Sequence, residues 1–191
     1  MIEIVRNALR RKIRRLARRA SPRRFARRQD GAVAVEFGLI MLPFLALMFA
    51  IMETALVFFA DQTLETAVAD SARLIMTGQA QTQNLDAVTF KNAVCARIYG
   101  LFDCQNGVYV NVTTYSSFGS ISYTPPLDAN GQLVTTGFNY SPGGPGDIVV
   151  VQLFYQWPIY VSLMNLGNLS NMAGHKRLLV ATAAFRNEPY N

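Results

Sequence analysis

The stretch Phe37–Ala60, FGLIMLPFLALMFAIMETALVFFA, holds one charge, Glu53, in 24 residues. A helix crosses a bilayer core in about 20 residues. The stretch therefore predicts a transmembrane helix. A buried core helix of a soluble protein is the alternative, and the flanks argue against it. Residues 1–31 carry 12 basic residues against Glu3 and Asp30, a balance of +10. Residues 32–191 carry six basic and ten acidic residues, a balance of −4. The net charge of +6 is thus the average of two unlike pieces.

That asymmetry predicts direction. Arginines immediately before a span hold its N-terminal side in the cytoplasm. The part after the span then lies across the membrane, in the periplasm of a bacterium. A mildly acidic exported part argues against a nucleic-acid partner. Within the basic arm, Ile2, Val5, Leu9, Ile13 and Leu16 recur at helical steps between arginines, as in a basic amphipathic helix on an anionic membrane surface. A secretory signal cleaved near Ala60 is a further alternative, and two features argue against it: the small residues Ala32-Val33-Ala34 precede the apolar run, and the run is long, continues into a helical pattern and has no clear small-residue exit.

After the span, Leu64, Val68, Ala72 and Ile75 keep helical spacing up to Gly78. The helix is expected to continue as an amphipathic stalk over 61–78, with Pro43 as a candidate kink. Glu53 falls about 24 Å of helix beyond Phe37, toward the outer interface. An intramembrane carboxylate there either pairs with another helix or snorkels to the surface.

The exported part, 79–191, reads as α+β. Gln79–Gln83 is expected to be a polar linker, with Asn84 capping a helix over Leu85–Tyr99. Strands are expected over Val108–Thr113, Ile148–Trp157 and Arg177–Phe185, forming an antiparallel sheet packed on that helix. Pro125–Gly146, rich in Pro, Gly and Asn, is expected to be a long mobile loop, either a partner-binding loop or a tolerated insertion, with the insertion favoured. Cys95 and Cys104 stand nine positions apart with Gly100 between them, so a turn can join them. In an oxidising compartment a disulfide is expected over two free thiols.

No enzyme signature is present. The one histidine, His175, sits in a Gly174-His175-Lys176 turn, and two cysteines with one histidine do not have zinc spacing. Gly143-Gly144-Pro145-Gly146 lacks the Lys-Ser/Thr of a phosphate loop. No cofactor, metal or small-molecule substrate is expected.

The boundary Asp30-Gly31-Ala32-Val33-Ala34-Val35-Glu36-Phe37 resembles that of type IV prepilins. These end a basic leader in Gly and carry Glu at the fifth mature position before an apolar helix. The resemblance implies cleavage between Gly31 and Ala32 by a prepilin peptidase, with Glu36 and Phe37 in recognition and assembly. In a filament Glu36 would face the α-amine of a neighbouring subunit.

More of the chain is similar to the TadE family of pseudopilins from the tight-adherence (Flp) pilus system. The similarity rests on Leu42-Pro43, Val94-Cys95-Ala96-Arg97, Leu101-Phe102-Asp103-Cys104, Tyr115-Ser116-Ser117-Phe118, Tyr155-Gln156-Trp157-Pro158 and Thr182-Ala183-Ala184-Phe185-Arg186-Asn187-Glu188-Pro189. A major Flp pilin is far shorter, so the resemblance is to a minor pseudopilin. It implies a non-catalytic assembly component in the inner membrane whose partners are the peptidase, other pseudopilins and pilus assembly proteins. The domains are then a leader over 1–31, a transmembrane helix over 32–60, the stalk over 61–78 and the periplasmic domain. An uncleaved single-pass protein whose domain binds an envelope partner is the alternative.

Overall fold

The computed structural model describes residues 31–98, 100, 103–160 and 169–190. The amphipathic helix expected in the basic leader lies outside the described residues, as do Tyr99 and the Leu101-Phe102 pair. The chain divides into two units between Met48 and Phe49.

Helix α1 spans Ala32–Met76 and runs through Pro43 without interruption. Its hydroxyl side chains are satisfied within the helix. Thr54, Thr63, Thr66 and Ser71 each donate to the carbonyl four residues back. This lets Ser71 sit wholly buried on the apolar face. In the first unit, the part of α1 up to Met48 has no buried residue, and Val33, Leu39, Ile40, Leu42 and Leu47 are exposed.

The second unit begins within α1. Val57, Ala60, Leu64, Ala67, Val68, Ala72 and Ile75 recur at steps of one, three or four and are all buried. They share one core with Phe90, Val94 and Ile98 and with the sheet residues Val108, Val112, Val149, Val151, Leu153, Leu179 and Ala181. The sheet's inner face is therefore covered by α1 as well as by the later helix expected there. Gly78 closes α1 in the left-handed region (φ 76°), and a Cβ there would run into the Tyr190 ring.

The expected linker is instead a short helix, α2, Gln79–Thr82. Asn84 does not cap the next helix; it terminates this one. It is left-handed (φ 50°), its N–H donates to the Gln81 carbonyl at 3.1 Å, and Leu85 N–H donates to the Ala80 carbonyl at 2.8 Å. This is the paired bonding of a Schellman termination. It delivers Leu85 to the core. Helix α3 then covers Ala87–Cys95, with Asp86 as its cap: the Asp86 carboxylate accepts from Thr89 N–H at 2.8 Å. Beyond Cys95 the chain tightens, Arg97 and Ile98 bonding three residues back. Helix α4, Cys104–Gly107, follows.

Strands β1 (Val108–Tyr115), β2 (Ile148–Pro158) and β3 (Lys176–Arg186) form an antiparallel sheet in the order β1-β2-β3. Val151 in the centre faces Val112 on one side and Ala183 on the other. The fold is α+β. Val149, Val151 and Leu153 point to the main core, with Tyr155 and Trp157 packed at its margin.

The opposite face is also covered, which the expected mobile loop did not foresee. Leu127, Leu133 and Phe138 pack with Phe154, Met172 and Leu178. Phe138 stacks on Phe154 with ring centroids 4.9 Å apart. Asn139 and Ser141 bond to both backbone groups of Val112. The Pro125–Gly146 segment is thus a cover for the sheet, held by its scattered apolar residues.

Tyr140, in this cover, packs its ring 5.4 Å from that of Phe90. Its hydroxyl is shut off from solvent and has no hydrogen-bond partner among the described residues. Burial, and then the Asp86 carboxylate, push its pKa up to about 12 from the usual 10. Between those values the unfolded chain releases a proton that the folded chain keeps, so stability falls as pH rises through the window. Tyr140→Phe is expected to lessen that fall and to cost little at neutral pH, because no hydrogen bond is lost. Tyr123, Tyr155 and Tyr190 shift the same way, so the slope is reduced and not abolished. Urea midpoints at neutral pH and inside the window check both points.

Candidate assembly and processing site

The residues singled out at the leader boundary lie at the start of α1. Gly31 immediately precedes the helix and Ala32 is its first residue. Both are exposed, as are Glu36 and Phe37. Glu36 stands four residues into the helix, one turn along from Ala32. A Cβ built on Gly31 meets nothing within 4 Å among the described residues. The fold itself therefore sets no requirement for glycine at this position. Any requirement must come from a molecule that approaches the Gly31–Ala32 bond.

Among the described residues, α1 is the helix long and apolar enough to cross a membrane, and none of its most apolar 18-residue window is buried within the protein. A soluble protein's core helix would have that window covered.

Glu53 makes a contact within the chain. It is 6 % exposed, and its Oε1 accepts a hydrogen bond from the backbone N–H of Tyr160. The contact joins α1 to the segment just after β2. No sequence signal links two positions 107 residues apart, so this partner was beyond sequence reasoning.

Cys95 and Cys104 form a disulfide, with Cα atoms 5.6 Å apart. It ties the end of α3 to the start of α4. Among the described residues, no group of three or more His, Cys, Asp or Glu side chains is placed to hold a metal ion.

No curated protein and no solved structure matches the chain. A family model described as "TadE-like protein" matches residues 31–73. The match begins at Gly31 and ends three residues before the end of α1, so it takes in the boundary, the apolar run and most of the core-forming part of that helix. The later segments that suggested the resemblance lie outside it. Over Gly31 to Arg73, then, the chain is similar to the TadE-like proteins, the family its sequence resembles.

Proposed function

We propose that this chain is a minor pseudopilin of a tight-adherence (Flp) pilus machine, an assembly component without turnover of its own. It sits in the inner membrane through the apolar part of α1, with the basic leader cytoplasmic and the disulfide-bearing domain periplasmic. A prepilin peptidase cuts it between Gly31 and Ala32. Removal of the leader discards the +10 charge and leaves an α-amine on Ala32. Glu36, one turn away on an exposed apolar helix, is then available to pair with such an amine on a neighbouring pseudopilin. A carboxylate in lipid surroundings is costly alone and favours a cationic partner.

The observation that carries this reading is the TadE-like match opening at Gly31, directly ahead of a helix whose most apolar 18-residue window has no buried residue. The disulfide supports the periplasmic side, where such bonds persist.

The test is the N-terminus of the protein isolated from cells with an active peptidase, read by mass spectrometry. The expected chain starts at Ala32. Gly31→Arg is expected to slow processing on the order of a hundredfold, the cost of a misplaced reacting bond. The substitution meets no neighbour in the fold, so the domain should remain intact. A wild-type chain still starting at Met1 would overturn the reading in favour of an uncleaved single-pass protein.

A further inference from the structure

The segment after β2 is fastened where it meets α1. Ile159 is buried in the core, and its N–H donates to the His175 carbonyl at 2.8 Å. The next N–H, that of Tyr160, donates to Glu53. The backbone is therefore held at both residues, yet the Tyr160 side chain is 81 % exposed. The level of this ring follows from its anchor. Glu53 precedes Asp61, the next charge on α1, by eight residues, or about 12 Å of helix. Between them Leu56, Phe58 and Phe59 are exposed and no charge occurs. The Tyr160 backbone thus lies beside the apolar run, two turns short of the first charge beyond it.

We propose that the Tyr160 ring is a second membrane contact, seated in the outer-leaflet interface, and that Glu53 is the positioning residue that holds it there. The proposal rests on the single-pass reading above. Tyrosine suits this level because its ring is apolar and its hydroxyl reaches water and headgroups. The hydrogen bond answers two costs together. A backbone N–H brought to lipid depth needs an acceptor. A carboxylate in an apolar run needs donors. The exposed Leu56, Phe58 and Phe59 stand at this same level of the helix, and a helix exposing apolar side chains there favours lipid as the occupant over a second protein chain.

The experiment uses the full chain in phosphatidylethanolamine–phosphatidylglycerol nanodiscs. The native cysteines are joined, so an added cysteine takes a fluorophore selectively under non-reducing conditions. Labels are placed at Tyr160→Cys, at Phe58→Cys on the helix, and at Gln132→Cys on the sheet cover. With lipids brominated high on their acyl chains, position 160 is expected to lose fluorescence to the same extent as position 58, and position 132 to lose none. Quenching at 58 without quenching at 160 would overturn the proposal and leave the membrane span standing. Quenching at neither would overturn both. Protection of 160 from bromolipid and from aqueous iodide alike would mean a covering protein chain and would also overturn it. In the Tyr160→Cys background, Glu53→Ala should abolish quenching at 160, while Glu53→Gln, whose amide oxygen still accepts, should retain it. Unchanged quenching in the alanine variant would remove the positioning role from Glu53.

Discussion

Leu64→Asp is expected to leave residues 49–191 without a cooperative unfolding transition. Leu64 is fully buried on α1, in the core that also takes in Phe90, Val94 and the inner face of the sheet. Losing a buried leucine side chain costs about 3–5 kcal/mol. The aspartate adds a carboxylate that the apolar surroundings cannot pair, a further cost of several kcal/mol. A domain of this size holds roughly 5–15 kcal/mol in total, so the sum reaches most or all of it. Thr66→Asp, two positions along and exposed, is expected to change stability by less than about 1 kcal/mol. Thermal unfolding by circular dichroism in a mild detergent, with limited proteolysis beside it, compares the two. The contrast tests where the domain begins. A helix that only tethered the domain would accept either change on its outer half. A helix that supplies the core accepts one and not the other.

The same helix shows what a sequence reveals and what it withholds. Leu64, Val68, Ala72 and Ile75 were legible as one face because helical spacing is a local property, and all four are buried. What covers that face was not legible. The strands contributing Val112, Val151 and Leu179 come from distant parts of the chain, and pattern alone does not rank one helix above another as their partner. The strands themselves read well, since β-branched and aromatic runs between turn residues admit few other structures. Each strand runs a residue or two beyond its expected end.

The caps were less legible. Asn84 and Asp86 are both good capping residues two positions apart. The choice between them is made by Leu85, which must reach the core and so needs Asn84 in the left-handed turn before it. The Pro125–Gly146 segment was misread for a related reason. Its composition describes turns, correctly, but burial of Leu127, Leu133 and Phe138 depends on an uncovered sheet face that only the assembled fold presents. At the candidate site, Gly31, Ala32 and Glu36 stand in one short motif and could be found by eye. The Glu53–Tyr160 contact depends on where β2 ends relative to α1, and no local pattern encodes that.

Removing the disulfide is the second change expected to act strongly. Cys95 and Cys104 enclose a loop with a sequence separation of nine. Closing a loop of that size restricts the unfolded chain by about 2.5–3 kcal/mol in the chain-entropy account. Cys104 is buried and Cys95 packs against the same core, so the bond also sits where a misplaced end of α3 would be felt. The double variant Cys95→Ala/Cys104→Ala is the cleaner test, because either single variant leaves a thiol free to pair elsewhere. It is expected to lower the melting temperature by about 10 °C, at a few degrees per kcal/mol for a domain of this length. Treating the wild-type protein with a reductant should reproduce the shift, and the double variant should not respond to reductant at all. A wild-type protein whose melting is indifferent to reductant, and whose cysteines label without it, would show that the bond does not form in cells. That result would also weaken the placement of the domain in the periplasm, because an oxidising compartment is what lets a bond of this kind persist. The stability measurement therefore bears on topology as well: the compartment sets whether the staple forms, and the staple ties the end of α3 to the start of α4, which β1 directly follows.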